Sequence, residues 1–163
     1  MSRQLADLEI ILQQLVNEHR KLLGQLDVQQ EAMTQFRLSG IEDATHLQEA
    51  TRLRIVALDN RRRNLVQQIA RAARIDGDLS ISQLAQLYPP RRDALLKLKN
   101  ELTEVIQQIA ARTHVAGRLA GAVLGHLNTV VRIFAGAVEK AGVYTKQGVP
   151  QVTARIGVME AVG

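Results

Sequence analysis

The chain has 163 residues, of which 46% are hydrophobic and 23% charged, a balance typical of one folded domain rather than a disordered chain. Two tyrosines, two phenylalanines, three prolines and no tryptophan disfavour β-sandwich and doubly wound folds, and the absence of cysteine excludes disulfides and thiolate chemistry. The net charge of +5 permits an acidic partner without indicating nucleic acid. The composition therefore predicts a helical protein and disfavours most enzyme classes.

The first 36 residues predict one long helix. Every step of the apolar series is three or four residues, which is a heptad pattern, and only His19 and Gln29 are polar members. We predict a helix over residues 4–38 that stops at Ser39 and Gly40. The seam comprises Leu5, Leu8, Leu12, Leu15, His19, Leu22, Leu26, Gln29, Met33 and Phe36.

A second heptad series predicts a helix over residues 42–75 that ends at the turn signal of residues 76–78. Ser80 or Ser82 is suited to cap a short helix over residues 81–87. Pro89 and Pro90 then force a break, because the residue before a proline is pushed out of the helical region.

The third series predicts the longest helix, over residues 91–139. We predict an all-α fold, an elongated antiparallel coiled-coil bundle of three long helices and a short one, because short connections favour antiparallel neighbours. Residues 1–140 form one domain in this prediction, and residues 141–163 form a flexible tail.

The composition changes near residue 117, inside the third helix. Three glycines precede that position and eight follow from it, while the density of charge falls. A second apolar stripe runs beside the heptad seam, so that together they cover about half of the helix circumference. Either the row Gly117, Gly121 and Gly125 lets this helix pack closely within its own bundle or dimer, or residues 117–139 bind an amphipathic partner helix; we favour the second hypothesis. The second stripe comprises Ala120, Leu124, Leu127, Val131, Phe134 and Val138.

No catalytic motif, phosphate loop or cofactor fingerprint is present, and the four scattered histidines lack the spacing of metal ligands. His126 lies on the seam and is interpreted as a partly buried structural histidine. The basic clusters 61–63 and 91–92 have acids within reach and no aromatic side chains for base stacking, so we interpret them as solvated helix surface rather than a nucleic-acid site.

We also expect no membrane insertion, because the most apolar stretch, 115–131, is interrupted by Arg118, His126 and Asn128. The N-terminal residues lack the pattern of a secretory signal, which predicts a cytoplasmic protein.

The order of these features resembles the FlgN family of flagellar export chaperones. The resemblance lies in the leucine-heptad first helix, in residues 58–65 of the second helix, in residues 84–96 around the two prolines, and in Tyr144-Thr-Lys-Gln-Gly148 after the last helix. It implies a nonenzymatic cytoplasmic chaperone that binds C-terminal helical segments of hook–filament junction proteins and helps to deliver them to the export gate.

The resemblance also implies site residues. Tyr144 matches the family tyrosine associated with the export gate, and the last helix matches the part that binds the client. Two alternatives stay open: a structural coiled-coil protein that homodimerises through this helix, and a basic helical nucleic-acid-binding protein. The client-binding candidates are Leu119, Val123, Leu124, Leu127, Val130, Val131 and Phe134.

Overall fold

A computed structural model describes the backbone of residues 2–143 and the side chains of residues 3–136. Within these residues there is no strand, and the all-α class is confirmed. The predicted export-gate residue Tyr144 and residues 144–163 of the predicted tail lie outside the described residues. The elements are α1 (Ser2–Thr34), α2 (Leu38–Ala72), α3 (Ile81–Leu87), a 3₁₀ turn (Pro89–Arg91) and α4 (Arg92–Val143).

The chain divides into two compact units, Met1–Gly121 and Ala122–Gly163. Helix α4 contributes residues to both units, and the boundary lies close to the change in glycine content at Gly117.

Helices α1 and α2 pack against each other in antiparallel directions. The side chain of Gln29 donates to the Thr45 hydroxyl at 3.0 Å. About three turns closer to the N-terminus of α1, Glu18 pairs with Arg54 at 3.1 Å. Partner numbers rise along α2 as they fall along α1, which is the mark of an antiparallel pair. The buried Thr51 is satisfied in this interface, because its hydroxyl donates to a backbone carbonyl of its own helix at 3.1 Å and accepts from Arg54 at 3.0 Å.

Helix α4 runs parallel to α1, because three ion pairs join α1 to α4 and to the 3₁₀ turn directly before it, in the same order along both segments. These pairs are Glu9–Arg91 at 3.0 Å, Arg20–Glu101 at 3.0 Å and Asp27–Arg112 at 3.2 Å. Within the first unit, the chain therefore runs up α1, down α2 and up α4, with α3 and the 3₁₀ turn making the second reversal.

The core of the first unit lies where all four helices meet. Helix α1 supplies the most residues to this core. The short α3 contributes Leu84, which is 0% exposed. Burying side chains of this size contributes about 1.5–3 kcal/mol each before the entropy of folding is subtracted. The cluster comprises Leu5, Leu8, Leu12, Val66, Ile69, Leu84, Ala85, Leu95 and Leu98.

The predicted end of the first helix is wrong. Helix α1 ends at Thr34, and Phe36 adopts the left-handed conformation with φ of 53°. The N–H of Arg37 donates to the carbonyl of Ala32 at 2.9 Å, which is the Schellman pattern that satisfies the last carbonyls of a helix. Phe36 therefore leaves the seam and is half exposed.

Gly40, predicted as part of the stop, lies instead in the first turn of α2. A Cβ at Gly40 would lie 3.1 Å from the Cβ of Ala32, so the glycine permits a close approach of the two helices.

Helix α2 also ends earlier than predicted, at Ala72, with Arg74 in the left-handed conformation at φ of 57°. Of the two serines predicted as caps of α3, the structure shows that Ser80 is the N-cap. The Ser80 hydroxyl accepts from the N–H of Gln83 at 3.2 Å, and the Gln83 side chain accepts from the N–H of Ser80 at 2.8 Å. This reciprocal pair is a capping box.

Candidate functional site

The second half of α4 carries a line of large apolar side chains that are open to solvent. Leu124 is 66% exposed, Val131 53% and Phe134 68%, while Leu127 is half-buried. We call these four residues the exposed stripe. They follow one another at steps of three or four on one face of the helix, span about 15 Å, and all belong to the unit Ala122–Gly163.

The other three predicted client-binding residues lie on the heptad seam. Leu119 and Val130 are half-buried, and Val123 is only 6% exposed. A side chain buried to that degree has little area left to offer a partner, so Val123 is not part of the exposed stripe.

Two seam positions are more accessible than the pattern predicts. Ile133 is 66% exposed, although the heptad series makes it a core residue, and it lies about 180° around the helix from Leu124. His126, interpreted as partly buried, is exposed. No signal in the spacing marks either change, because a heptad pattern is the same whether or not a neighbour covers it.

The row of glycines next to the exposed stripe is open. A Cβ built at Gly117, Gly121 or Gly125 would meet no described atom within 4 Å. The hypothesis that these glycines allow close packing inside the chain's own bundle is therefore not supported within the described residues. Packing against a second chain stays a prediction.

Charge is distributed unevenly along the chain. Residues 1–104 hold 15 Lys and Arg against 14 Asp and Glu, whereas residues 105–163 hold six against two. Residues 105–138 contain no acid at all, and among residues 122–136 Arg132 is the single formally charged side chain. Most of the excess positive charge therefore belongs to the last third of the chain.

The basic clusters that suggested phosphate contact are largely engaged in ion pairs. Arg62 and Arg63 each bring a guanidinium nitrogen to 2.8 Å from a carboxylate oxygen of Asp59, and Arg91 pairs with Glu9. Partial burial by itself would raise the pKa of Asp59, but the hydrogen bond and charge of Arg62, aided by Arg63, outweigh it and lower that pKa. This geometry agrees with the interpretation of the clusters as a solvated helix surface.

A metal site and a membrane-spanning segment are two further features that concern the described residues. No group of three or more His, Asp or Glu side chains there could hold a metal ion. The segment Pro89–Gly136, which comprises the 3₁₀ turn and most of α4, is long and apolar enough to cross a membrane by length and composition alone, and little of its most apolar window is buried. The expected absence of membrane insertion therefore stays a prediction.

Over its described residues the chain is an all-α protein whose last helix presents an open apolar face. The family model for the FlgN protein matches residues 1–151, and the chain belongs to the FlgN family. This family is a family of chaperones rather than enzymes, and membership implies a general role in flagellar export. No curated protein and no solved structure matches the chain.

Proposed function

We propose that this protein is a cytoplasmic chaperone of the flagellar type III export system that binds C-terminal helical segments of hook–filament junction proteins. In this role it keeps them from assembling early and helps to deliver them to the export gate. Family membership supports the general role, and the exposed stripe is the single observation that supports a helical client. No cofactor is needed, since binding alone achieves the effect.

The energetics favour a complex that forms and releases. Leu124, Val131 and Phe134 are half to two-thirds exposed, so covering them contributes roughly 1–2 kcal/mol each, less than full burial would. Specific interfaces cover about 800 Å² per partner, and the loss of translational and rotational freedom offsets part of the gain. A client helix on this stripe is therefore held without a covalent or nucleotide-driven step.

The first unit serves as the platform in this proposal. Its helices α1, α2 and α4 pack in alternating directions, and we propose that they follow coiled-coil geometry over the heptad seams. In this proposal residues 1–140 act as one domain, and residues 141–163, of which 141–143 still belong to α4, act as a tail.

The export-gate contact is proposed from the family resemblance at Tyr144. A Tyr144→Ala variant is expected to bind the client as the parent protein does. Cells that carry this variant are expected to secrete less of the client. Loss of client binding in this variant would assign the tyrosine to the client site instead.

The decisive experiment compares two equally exposed leucines in the full-length protein. Leu124→Asp alters the exposed stripe, and Leu53→Asp alters a leucine of α2 that is 62% exposed, so both variants add the same charge at similar accessibility. Each protein is immobilised, incubated with a lysate of flagellated bacteria, and the bound hook–filament junction proteins are identified and quantified by mass spectrometry. Far-UV circular dichroism checks that both variants are folded.

The parent and Leu53→Asp are expected to retain the junction proteins, and Leu124→Asp to lose about tenfold or more, since a carboxylate in an apolar contact costs over 1.4 kcal/mol. The proposal fails if junction proteins are missing from the parent eluate, or if Leu124→Asp recovers them as the parent does.

A homodimer is the second candidate, and the open glycine row beside the exposed stripe favours it, because such a row permits close helix contact. It predicts a dimer in light scattering that Leu124→Asp converts to a monomer, with no effect on any client. The basic nucleic-acid binder predicts a gel shift that weakens steeply with salt, and nothing in the structure favours it.

A further inference from the structure

The exposed stripe repeats itself after one heptad. Leu124 is followed seven residues later by Val131, and Leu127 by Phe134, so each apolar position has an apolar equivalent about 10.5 Å along the helix. Apolar contact is non-directional, and a partner helix that slides by one heptad would meet similar side chains again. The stripe therefore supplies contact area without specifying a register.

Arg132 is the feature of this surface that can break the repeat. It is exposed, it is the single formally charged side chain among residues 122–136, and no described residue forms an ion pair with it. It is also placed beside the stripe, about 100° around the helix from Val131. The residue one heptad earlier, Gly125, has no side chain. If a partner helix slid by seven residues, its group that had faced the charge of Arg132 would face a glycine instead.

The flank on which Arg132 lies is otherwise small. Gly125 and Ala135 occupy much of it, and a Cβ at Gly125 would meet nothing described within 4 Å. A long arginine side chain on a helix leans towards the preceding turn, which here is the turn of Asn128 and Gly125. Its guanidinium is thus free to reach a group at the edge of a helix seated on the stripe.

We propose that Arg132 sets the register of the bound helix by pairing with a carboxylate, so that the partner is an amphipathic helix with an acidic flank beside its apolar face. This inference rests on the proposed function, and it adds the chemistry of the client and a specificity residue. Charge complementarity supports it, because residues 113–138 carry Arg118 and Arg132 and no acid. A single polar position is known to specify register in paired helices.

The test uses two synthetic helices of about 20 residues with the same leucine face. One carries a single glutamate at the flank, and the other carries lysine at that position. Binding of each fluorescent peptide to the full-length protein is measured by anisotropy at low and high salt. The parent is expected to bind the glutamate peptide about two- to fivefold more tightly, with a smaller preference at high salt.

Arg132→Glu is expected to reverse this preference, and Arg132→Lys to keep most of it. The matched control is Arg52→Glu on α2, an exposed arginine whose replacement changes the net charge by the same amount. It is expected to leave the preference as in the parent, which separates a local contact from long-range attraction.

The outcomes distinguish the two proposals. If Leu124→Asp abolishes binding of both peptides while Arg132→Glu leaves the preference intact, the stripe binds helices and the role of Arg132 is overturned. If both peptides bind Leu124→Asp as well as the parent, or bind neither protein, the proposed docking surface itself fails. If the peptides bind the parent equally and vesicles of phosphatidylglycerol and phosphatidylcholine bind the parent but not Arg132→Glu, a lipid headgroup is the counter-ion and the inference is overturned.

Discussion

Helix α1 and the last described part of α4 carry apolar residues at the same three-and-four spacing, yet their side chains have opposite environments. Leu8, Leu12 and Leu15 of α1 are at most 2% exposed, whereas Leu124 and Phe134 of α4 are 66% and 68% exposed. Periodicity decides which residues share a face of a helix. Whether that face is buried depends on what lies against it, and α1 has α2 and α4 as neighbours in the first unit.

The two regions also differ in how their charges are satisfied. In the first, near-equal numbers of acids and bases form ion pairs that join α1 to α2 and to α4. In the second, Arg132 is the one formally charged side chain among residues 122–136, and no described residue forms an ion pair with it. The first region pairs several of its own charges, whereas the second leaves an apolar stripe and one arginine exposed to solvent.

The largest expected effect tests the contrast in burial directly. Leu12→Ala removes a side chain that is 1% exposed and leaves a cavity, so the free energy of unfolding should fall by about 2–5 kcal/mol. Leu124→Ala should change it by no more than about 0.5 kcal/mol. Urea unfolding followed by circular dichroism measures both, and equal losses would show that the two regions are not different in kind.

A smaller effect is expected at the start of the short helix α3, in the first compact unit. Ser80→Ala removes the capping box of α3 and should lower the free energy of unfolding by about 1 kcal/mol. Ser82→Ala is the matched control, since its hydroxyl only accepts an exposed hydrogen bond from Lys99 at 2.7 Å. If Ser82→Ala costs as much, the cap is not what stabilises this end.

Replacing a glycine by alanine should change the free energy of unfolding differently in the second half of α4 and at the contact between α1 and α2. Gly125→Ala enters open space, so helix propensity alone should raise the free energy of unfolding of that segment by up to about 1 kcal/mol. Gly40→Ala should forfeit this gain, because its Cβ would lie 3.1 Å from that of Ala32. Thermal unfolding followed at 222 nm compares the two variants, and an equal gain at both positions would contradict the close approach at Gly40.

The smallest effect concerns pH. The pKa of Asp59 is lowered in the folded state, so its contribution to stability is present above the carboxyl's ordinary pKa and is lost as pH falls through the folded-state value. Asp59→Asn should therefore be less stable than the parent at neutral pH, with the difference vanishing in acid. Asp43→Asn, an exposed carboxylate of the same helix, is the control. A difference that persists in acid would exclude the ion pairs as its cause.

Much of the fold follows from local signals. The heptad series predicted the three long helices, and the prolines and Ser80 marked the short helix and the break before α4. The ends of α1 and α2 were predicted three to four residues late, because Phe36 and Arg74 make the left-handed closing turn that glycine usually makes. Glycine was the expected signal there, and Gly40 serves packing instead.

The candidate site was predictable as a stretch of helix but not residue by residue. The second apolar stripe indicated Leu124, Leu127, Val131 and Phe134 as docking positions. Three of them are the most exposed of the predicted set, and Leu127 is half-buried. Val123 and Ile133 have the same seam spacing and opposite exposures, so no pattern in the sequence distinguishes them. No sequence motif marks Arg132, and its significance depends on the apolar and small side chains that surround it in the structure.

The sequence by itself determined the helical class, the approximate extents of the helices, the face that each presents and the uneven distribution of charge, because these depend on local propensity and on spacing along the chain. Only the tertiary structure decided that α1 pairs with both α2 and α4, that Thr51 is buried and satisfied, and which apolar side chains of α4 stay open. Burial is a property of neighbours brought from distant parts of the chain, and periodicity carries no information about them.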